Sequence, residues 1–475
     1  MINWKWESFE DYLKSNLFSF SDPGPLHAPI REFTLKRDDN LRSVLETFAT
    51  QNAKSNAVNY PAGTVQINTD TATLSDPMGS TVTLTAIQLR NYNRSLNPDP
   101  ALGGMHEISF VHSVEGQTKN KNEVKYVIDW LANVETAFSW PDATENEIET
   151  TTKLKIGSGD HAQTLTHTGR MGGGFSSNCV KINIEGHDVF LSTAKPETAV
   201  KVRKPGFILY VGNPSEELRE KIRHSLAFSL GIYLVHLGHS TFCQDCRLIS
   251  FKAITAYSLG GRAFEISPIP PAPLGAGEWD ITPQVLSQMV NSICSHYDEL
   301  NFRSLSWAYW HAVSATPHIA AVHYGAAVEA LQREYVKHNR ATYNTALLCQ
   351  GHWSLLKRAA EAVVATMPVS HQTKVMLKNK ISGLNSKPQS VLLEEVLSNL
   401  GITLSEVEKA AWKHRHNAGH GNYTKPDDSV RLIRETKLLK LRFNRMLLAI
   451  TNASNSYYDY YTIGQPIRNL SDPIP

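Results

Sequence analysis

Between Ser267 and Asp280 the chain reads SPIPPAPLGAGEWD, and the hydrophobic pattern differs on its two sides. Upstream, GTVQINTDTATL from Gly63, STVTLTAIQL from Ser80, NCVKINIEG from Asn178 and GFILYVG from Gly206 alternate apolar with polar residues and are rich in Thr, Val and Ile. Such a period of two describes strands with one buried face. Downstream the spacing becomes helical. The Pro- and Gly-rich stretch therefore reads as a linker, and the expected fold class is α+β multidomain: a β-rich N-terminal region followed by an all-α helical bundle. The expected limits are 1–266 for the β-rich region, 267–280 for the linker, 281–461 for the helical domain and 462–475 for a tail. At 475 residues the chain exceeds the size at which one core usually stops growing, which agrees with more than one domain.

Charge and hydropathy narrow the function classes. A net charge of +2 does not describe a protein that coats a polyanion. The apolar run LAFSLGIYLVHLG from Leu226 carries a histidine and glycines and is too short for a bilayer, so no membrane partner is expected. MINWKWESFEDYL has acids and tryptophans where a signal peptide needs a basic and then an apolar segment. The five cysteines are odd in number and irregularly spaced, as in a reducing compartment. A cytoplasmic location is the expectation.

Two helix starts matter for the sites below. NPSEELREKIRHSLAF predicts a helix with Asn213 as N-cap, Pro214 at the first position and Glu216 at the third. TLSEVEKAAWKHRHNAGHGNY has Thr403 and Glu406 at capping-box spacing, so a helix should run toward Lys413. The final helix aligns Leu432, Leu439, Phe443, Met446, Leu447 and Ile450 on one stripe, with Arg431, Arg434, Lys437 and Arg445 opposite. KHRHNAGHGNY thus falls at a helix–helix junction, where side chains project without disturbing a core.

Arg415 and His420 form an R-x4-H spacing with polar His416 and Asn417 directly after the arginine. Histidine suits proton transfer because its unperturbed pKa is about 6.5. Arginine suits a phosphate because its planar fork donates bidentately and stays charged. These residue types can cleave RNA without a metal: a base takes the 2′-OH proton, an acid protonates the leaving 5′-oxygen, and a cation stabilises the phosphorane. His420 is the expected proton-transfer group and Arg415 the phosphate ligand. His416 and Asn417 would orient the substrate or tune His420.

With its helical context, this motif resembles the HEPN ribonuclease domain, and AAVHYGAAVEALQREY upstream resembles a helix of Apea-like HEPN proteins, which also carry a β-rich N-terminal region. The resemblance implies an HEPN-type bundle and a metal-independent endoribonuclease, commonly a homodimer or an assembly of dimers, acting in anti-phage defence or abortive infection. No cofactor is expected. The N-terminal region would sense a phage-derived or cellular trigger. The alternative is a catalytically inactive module that binds RNA or protein as a regulator.

Three further features stand out. Glu329 lies seven positions after Val322, beside Ala326 and Ala330, which places a carboxylate on the apolar side of its helix. Such a group needs a partner, either Arg415 or a neighbouring histidine at the active site, or Arg333 four residues on. His236, His239, Cys243 and Cys246 have zinc-ligand residue types, but zinc sites usually draw ligand pairs from separated elements; the compact string reads as a helix end turning into a strand with free thiols. GRMGGGFSSN from Gly169 lacks the phosphate-loop ending and reads as a flexible loop.

Overall fold

The computed structural model describes residues 9–55, 61–63, 70–99, 103–135, 137–156, 163–194, 204–419 and 428–475. They belong to two compact units, Met1–Ile269 with Leu274–Asn291, and Pro270–Pro273 with Ser292–Pro475.

The strands of the first unit are β1 (Ser19–Asp22), β2 (His27–Arg37), β3 (Ser43–Ser55), β4 (Thr71–Ser75), β5 (Thr81–Ser95), β6 (Gly104–Gln117), β7 (Tyr126–Leu131), β8 (Asp142–Ile156), β9 (Gln163–Ile184), β10 (His187–Thr193), β11 (Gly206–Val211), β12 (His236–Phe242) and β13 (Leu248–Ile254). All join one 13-stranded sheet. The long strand β6 organises it: β5 lies along one edge, while the other edge is shared by β3, opposite Gly104–Val111, and β13, opposite Ser113–Gln117. Helix α1 (Phe9–Ser15) inserts Phe9 and Leu13 into a core with Leu45, Leu74, Leu84, Val111 and Phe251. Helix α2 (Glu216–Leu230) buries Ile222, Leu226 and Phe228.

Helices follow: α3 (Pro283–Ser295), α4 (Phe302–Ser314), α5 (Pro317–His338), α6 (Gln350–Thr366), α7 (His371–Gly383), α8 (Gln389–Asn399), α9 (Glu406–Gly419) and α10 (Ser429–Thr451). Helix α5 begins at Pro317, with Thr316 as its N-cap and the proline in the first turn, where a missing amide donor costs nothing, and packs against α4, α9 and α10. After α10 comes an antiparallel hairpin, β14 (Ser456–Tyr458) with β15 (Ile467–Asn469). Among the described residues no helix is long and apolar enough to cross a membrane.

The expected fold class, a β-rich region followed by an all-α HEPN-type bundle, is corrected by this architecture. The second unit contains a β hairpin, and α3, counted with the helical domain, lies in the first unit up to Asn291. A large antiparallel sheet followed by helices and a small hairpin is what the described residues build. The 267–280 segment is not a free linker either. Pro270, Pro271 and Ala272 are buried, the Ile269 amide donates to the Gly231 carbonyl at 3.1 Å, and the Ser139 amide to the Trp279 carbonyl at 2.9 Å. Its prolines set a packed, extended path instead of a flexible one. Nor is 462–475 a tail: it supplies β15, and Ile474 is fully buried.

The Gly-rich stretch from Gly169 is also strand, not loop. It lies in β9 and pairs with β8 through Thr150 to Gly169 and Asn146 to Gly174, with a register shift between Asn146 and Ile148. Glycine weakens a strand without forbidding it, and ladder hydrogen bonds from β8 supply what side-chain packing does not.

Candidate active site

Helix α9 is fixed at its start. Ser405 and Glu408 form its capping box: the Ser405 amide donates to Glu408 Oε2 at 2.9 Å, and the Glu408 amide lies 3.5 Å from Ser405 Oγ. The sequence offers both T-x-x-E and S-x-x-E here, and tertiary structure selects the second. Glu408 is 1% exposed and receives Arg445 Nη1 at 2.7 Å and the Ile474 amide at 3.2 Å. Arg445 fills its fork with the carbonyls of Thr403 at 3.0 Å and Leu470 at 2.8 Å. Expected on the polar side of α10, Arg445 is fully buried. Arg442 adds a bond from Nη2 to the Glu408 carbonyl at 2.8 Å, its guanidinium 4.9 Å from the centre of the Trp412 ring. A buried charge pair is tolerated only when its remaining donors and acceptors are met, and here the helix, α10 and the segment around the hairpin meet them.

Arg415, His416 and Asn417 lie on the backbone of this helix, which continues to Gly419. His420 falls outside the described residues. Glu329 stands half-buried on α5, which packs on α9, and it is not without a partner. Arg333, offered as its i,i+4 mate, has its Nε 3.6 Å from the carboxylate of Glu334.

The four zinc-type residues do not act together. Cys243 and Cys246 shape the turn after β12, the Cys246 amide donating to the Cys243 carbonyl at 2.9 Å. The histidines belong to a buried cluster around Asp129. In an unbroken strand His236 and His239, three apart, would face opposite sides. A bulge between His236 and Gly238 puts them opposite Leu131 and Asp129, on one face. Gly238 has φ of +131°, and a Cβ there would sit 1.9 Å from the Lys252 carbonyl oxygen, so the bulge needs glycine. Among the described residues no group of His, Cys, Asp and Glu is arranged to hold a metal.

Asp129, fully buried on β7, accepts from Arg219 and Arg223 of α2, one on each carboxylate oxygen, and from the Tyr210 hydroxyl at 3.1 Å. His236 Nε2 lies 3.8 Å from the same carboxylate. Burial alone would raise the Asp129 carboxyl, but Arg223 above all, with His236 and Arg219, holds it well below the usual range. Burial pushes Tyr210 up and both histidines down, His239 to about 4. Among the described residues Arg219 Nε, His236 Nε2 and His239 Nδ1 lack hydrogen-bond partners.

Sequence reading missed this cluster as a unit. Its members lie on β7, β11, α2 and β12, and the only local signals are a lone aspartate in YVIDWL and two arginines four apart. The start of α2 also differs from expectation: Ser215, not Asn213, is the N-cap, its Oγ accepting from the Leu218 amide at 3.2 Å. Pro214 therefore precedes the cap. In comparisons with protein-family models, curated proteins and solved structures, nothing matches this chain.

Proposed function

We propose that the chain is a metal-independent endoribonuclease, resembling HEPN enzymes in its R-x4-H motif, that cuts RNA with Arg415 and His420. The observation that supports this reading is that Arg415, His416 and Asn417 occupy the far end of a helix whose start is locked by Glu408 and Arg445. A group that must meet a phosphate within a fraction of an ångström gains from such a rigid base.

In this reading Arg415 binds the scissile phosphate and His420 transfers the proton. His416 and Asn417 orient the substrate, and Glu329, on the neighbouring helix, positions one of these cations. The 2′-oxygen forms a bond to phosphorus while the bond to the 5′-oxygen breaks, leaving a 2′,3′-cyclic phosphate and a 5′-hydroxyl. One motif supplies one firm proton-transfer histidine while the reaction wants a base and an acid, so two chains share a site across a two-fold axis. The β-rich unit receives a phage-derived or cellular trigger, and the enzyme acts in the cytoplasm in abortive infection.

Purified chain is expected to cut single-stranded RNA, and Arg415→Ala to lower the rate by about 10²–10³-fold, the usual effect of losing one donor to a developing oxyanion. Equal rates for the two proteins would remove Arg415 from the site.

A further inference from the structure

The first unit contains a cavity of about 880 Å³ bounded by β2, β5 and β6. Its floor is polar and buried: Glu107 is 2% and Ser109 1% exposed. Glu107 accepts from the His27 amide at 3.1 Å and from the His27 ring at Nδ1, 2.6 Å away. With Nδ1 occupied, the Nε2 edge of His27 remains for a ligand. Ser109 Oγ has no hydrogen-bond partner among the described residues, although a buried hydroxyl normally finds one.

The walls and rim differ in kind. Leu26, Ile87 and Met105 line the cavity and are buried. Past Leu89, a register shift in β5 sets Tyr92 opposite Glu107 and Arg94 opposite Met105, turning both toward the cavity side. Tyr92 is 60% exposed, with no ring or hydrogen-bond contact among the described residues. Arg94 is exposed and donates only to the Gln51 carbonyl, at 2.8 Å, so its guanidinium has no carboxylate partner among the described residues. The cavity thus combines a polar floor and apolar wall residues with an exposed aromatic ring and an exposed guanidinium on β5. Along a strand two residues span roughly 6.6 Å, so Tyr92 and Arg94, on one side of β5, are close enough to reach the same ligand.

From this arrangement we propose that the cavity binds a nucleoside phosphate. The base enters between Leu26, Ile87 and Met105, with its polar edge on Ser109 and His27. Tyr92 stacks at the mouth, and Arg94 takes the phosphate. The volume lies within the 300–1,000 Å³ usual for small-molecule sites.

The test is calorimetric titration of the full chain with AMP, GMP, CMP and UMP, with adenosine, inorganic phosphate and a short single-stranded RNA as further probes. At least one monophosphate should bind, more tightly than adenosine or phosphate. Tyr92→Ala should weaken it about 5- to 150-fold, and Arg94→Ala about 10-fold or more. Both side chains are exposed, so the variants should keep the circular dichroism of the parent. Four results would each overturn the proposal: no monophosphate binding at millimolar concentration, adenosine binding as well as AMP, RNA binding where no monomer binds, or affinity unmoved by both substitutions.

Discussion

Replacing His420 by alanine is expected to slow RNA cleavage by at least about 10²–10⁴-fold, the range lost when one positioned proton-transfer group is removed, because a shared site loses both of its histidines. The rate of the parent should trace a bell against pH, because one histidine must be neutral and another protonated in the same step. His420→Ala, which takes both histidines out of a shared site, should flatten the bell on both sides, which replacing a purely structural histidine would not do. Adding excess His420→Ala chain to parent enzyme checks the shared site: activity per parent chain should collapse as mixed dimers form. Constant activity would mean that each chain cuts alone.

The second large effect belongs to the β-rich unit. Asp129→Ala leaves Arg219 and Arg223 buried against each other with their common carboxylate gone. Removing one member of such a cluster costs about 3–5 kcal/mol, read as a fall in the urea midpoint. Replacing all three with apolar residues, Asp129→Leu with Arg219→Met and Arg223→Met, should recover most of that loss, because no guanidinium is then left buried without a partner.

Acidification should act on the same cluster. The unfolded chain takes up protons on histidine below about pH 6.5, whereas folded His239 stays neutral down to about 4. Between those values the unfolded state binds more protons, so stability falls as pH falls, by at most about 1.4 kcal/mol per pH unit for one such group. The Asp129 carboxyl, depressed in the fold, remains charged throughout that window and loses its contribution only in stronger acid. An Asp129→Ala midpoint within about 1 kcal/mol of the parent would contradict the cluster's stabilising role.

How much of this was legible depends on the range of the forces involved. Strands such as Gly206–Val211 and the start of α5 are written locally, in alternation and in a Thr-Pro pair, and were readable. At α2 and α9 the local signal places each cap two residues early. Asn213 and Thr403 are acceptable caps on their own terms, but the folded chain uses Ser215 and Ser405. At α9 the choice is decided by Arg445, which reaches Glu408 from 37 residues away. Its burial was unreadable for the same reason: an arginine in a helix repeat looks solvent-exposed until its partner is known.

The Asp129 cluster was hidden more deeply. Its members are brought together by a bulge at Gly238 and by sheet pairing, neither of which leaves a mark in the spacing of His236 and His239. Of the R-x4-H motif, Arg415, His416 and Asn417 are adjacent in sequence and fall on the backbone of α9, while His420 lies outside the described residues. The cavity floor of His27, Glu107 and Ser109 again needed the fold, because β2 and β6 are 80 residues apart at the His27–Glu107 contact.

The chemistry of the RNA ends tests the nuclease reading most directly. RNA cut by the purified chain in EDTA should carry 2′,3′-cyclic phosphate, or the monophosphate from its hydrolysis, at one end and 5′-hydroxyl at the other, at a rate equal to that without chelator. His420→Ala and Arg415→Ala should yield these ends at rates lowered by about 10²-fold or more. A strict requirement for Mg²⁺ with 3′-hydroxyl products would contradict the account.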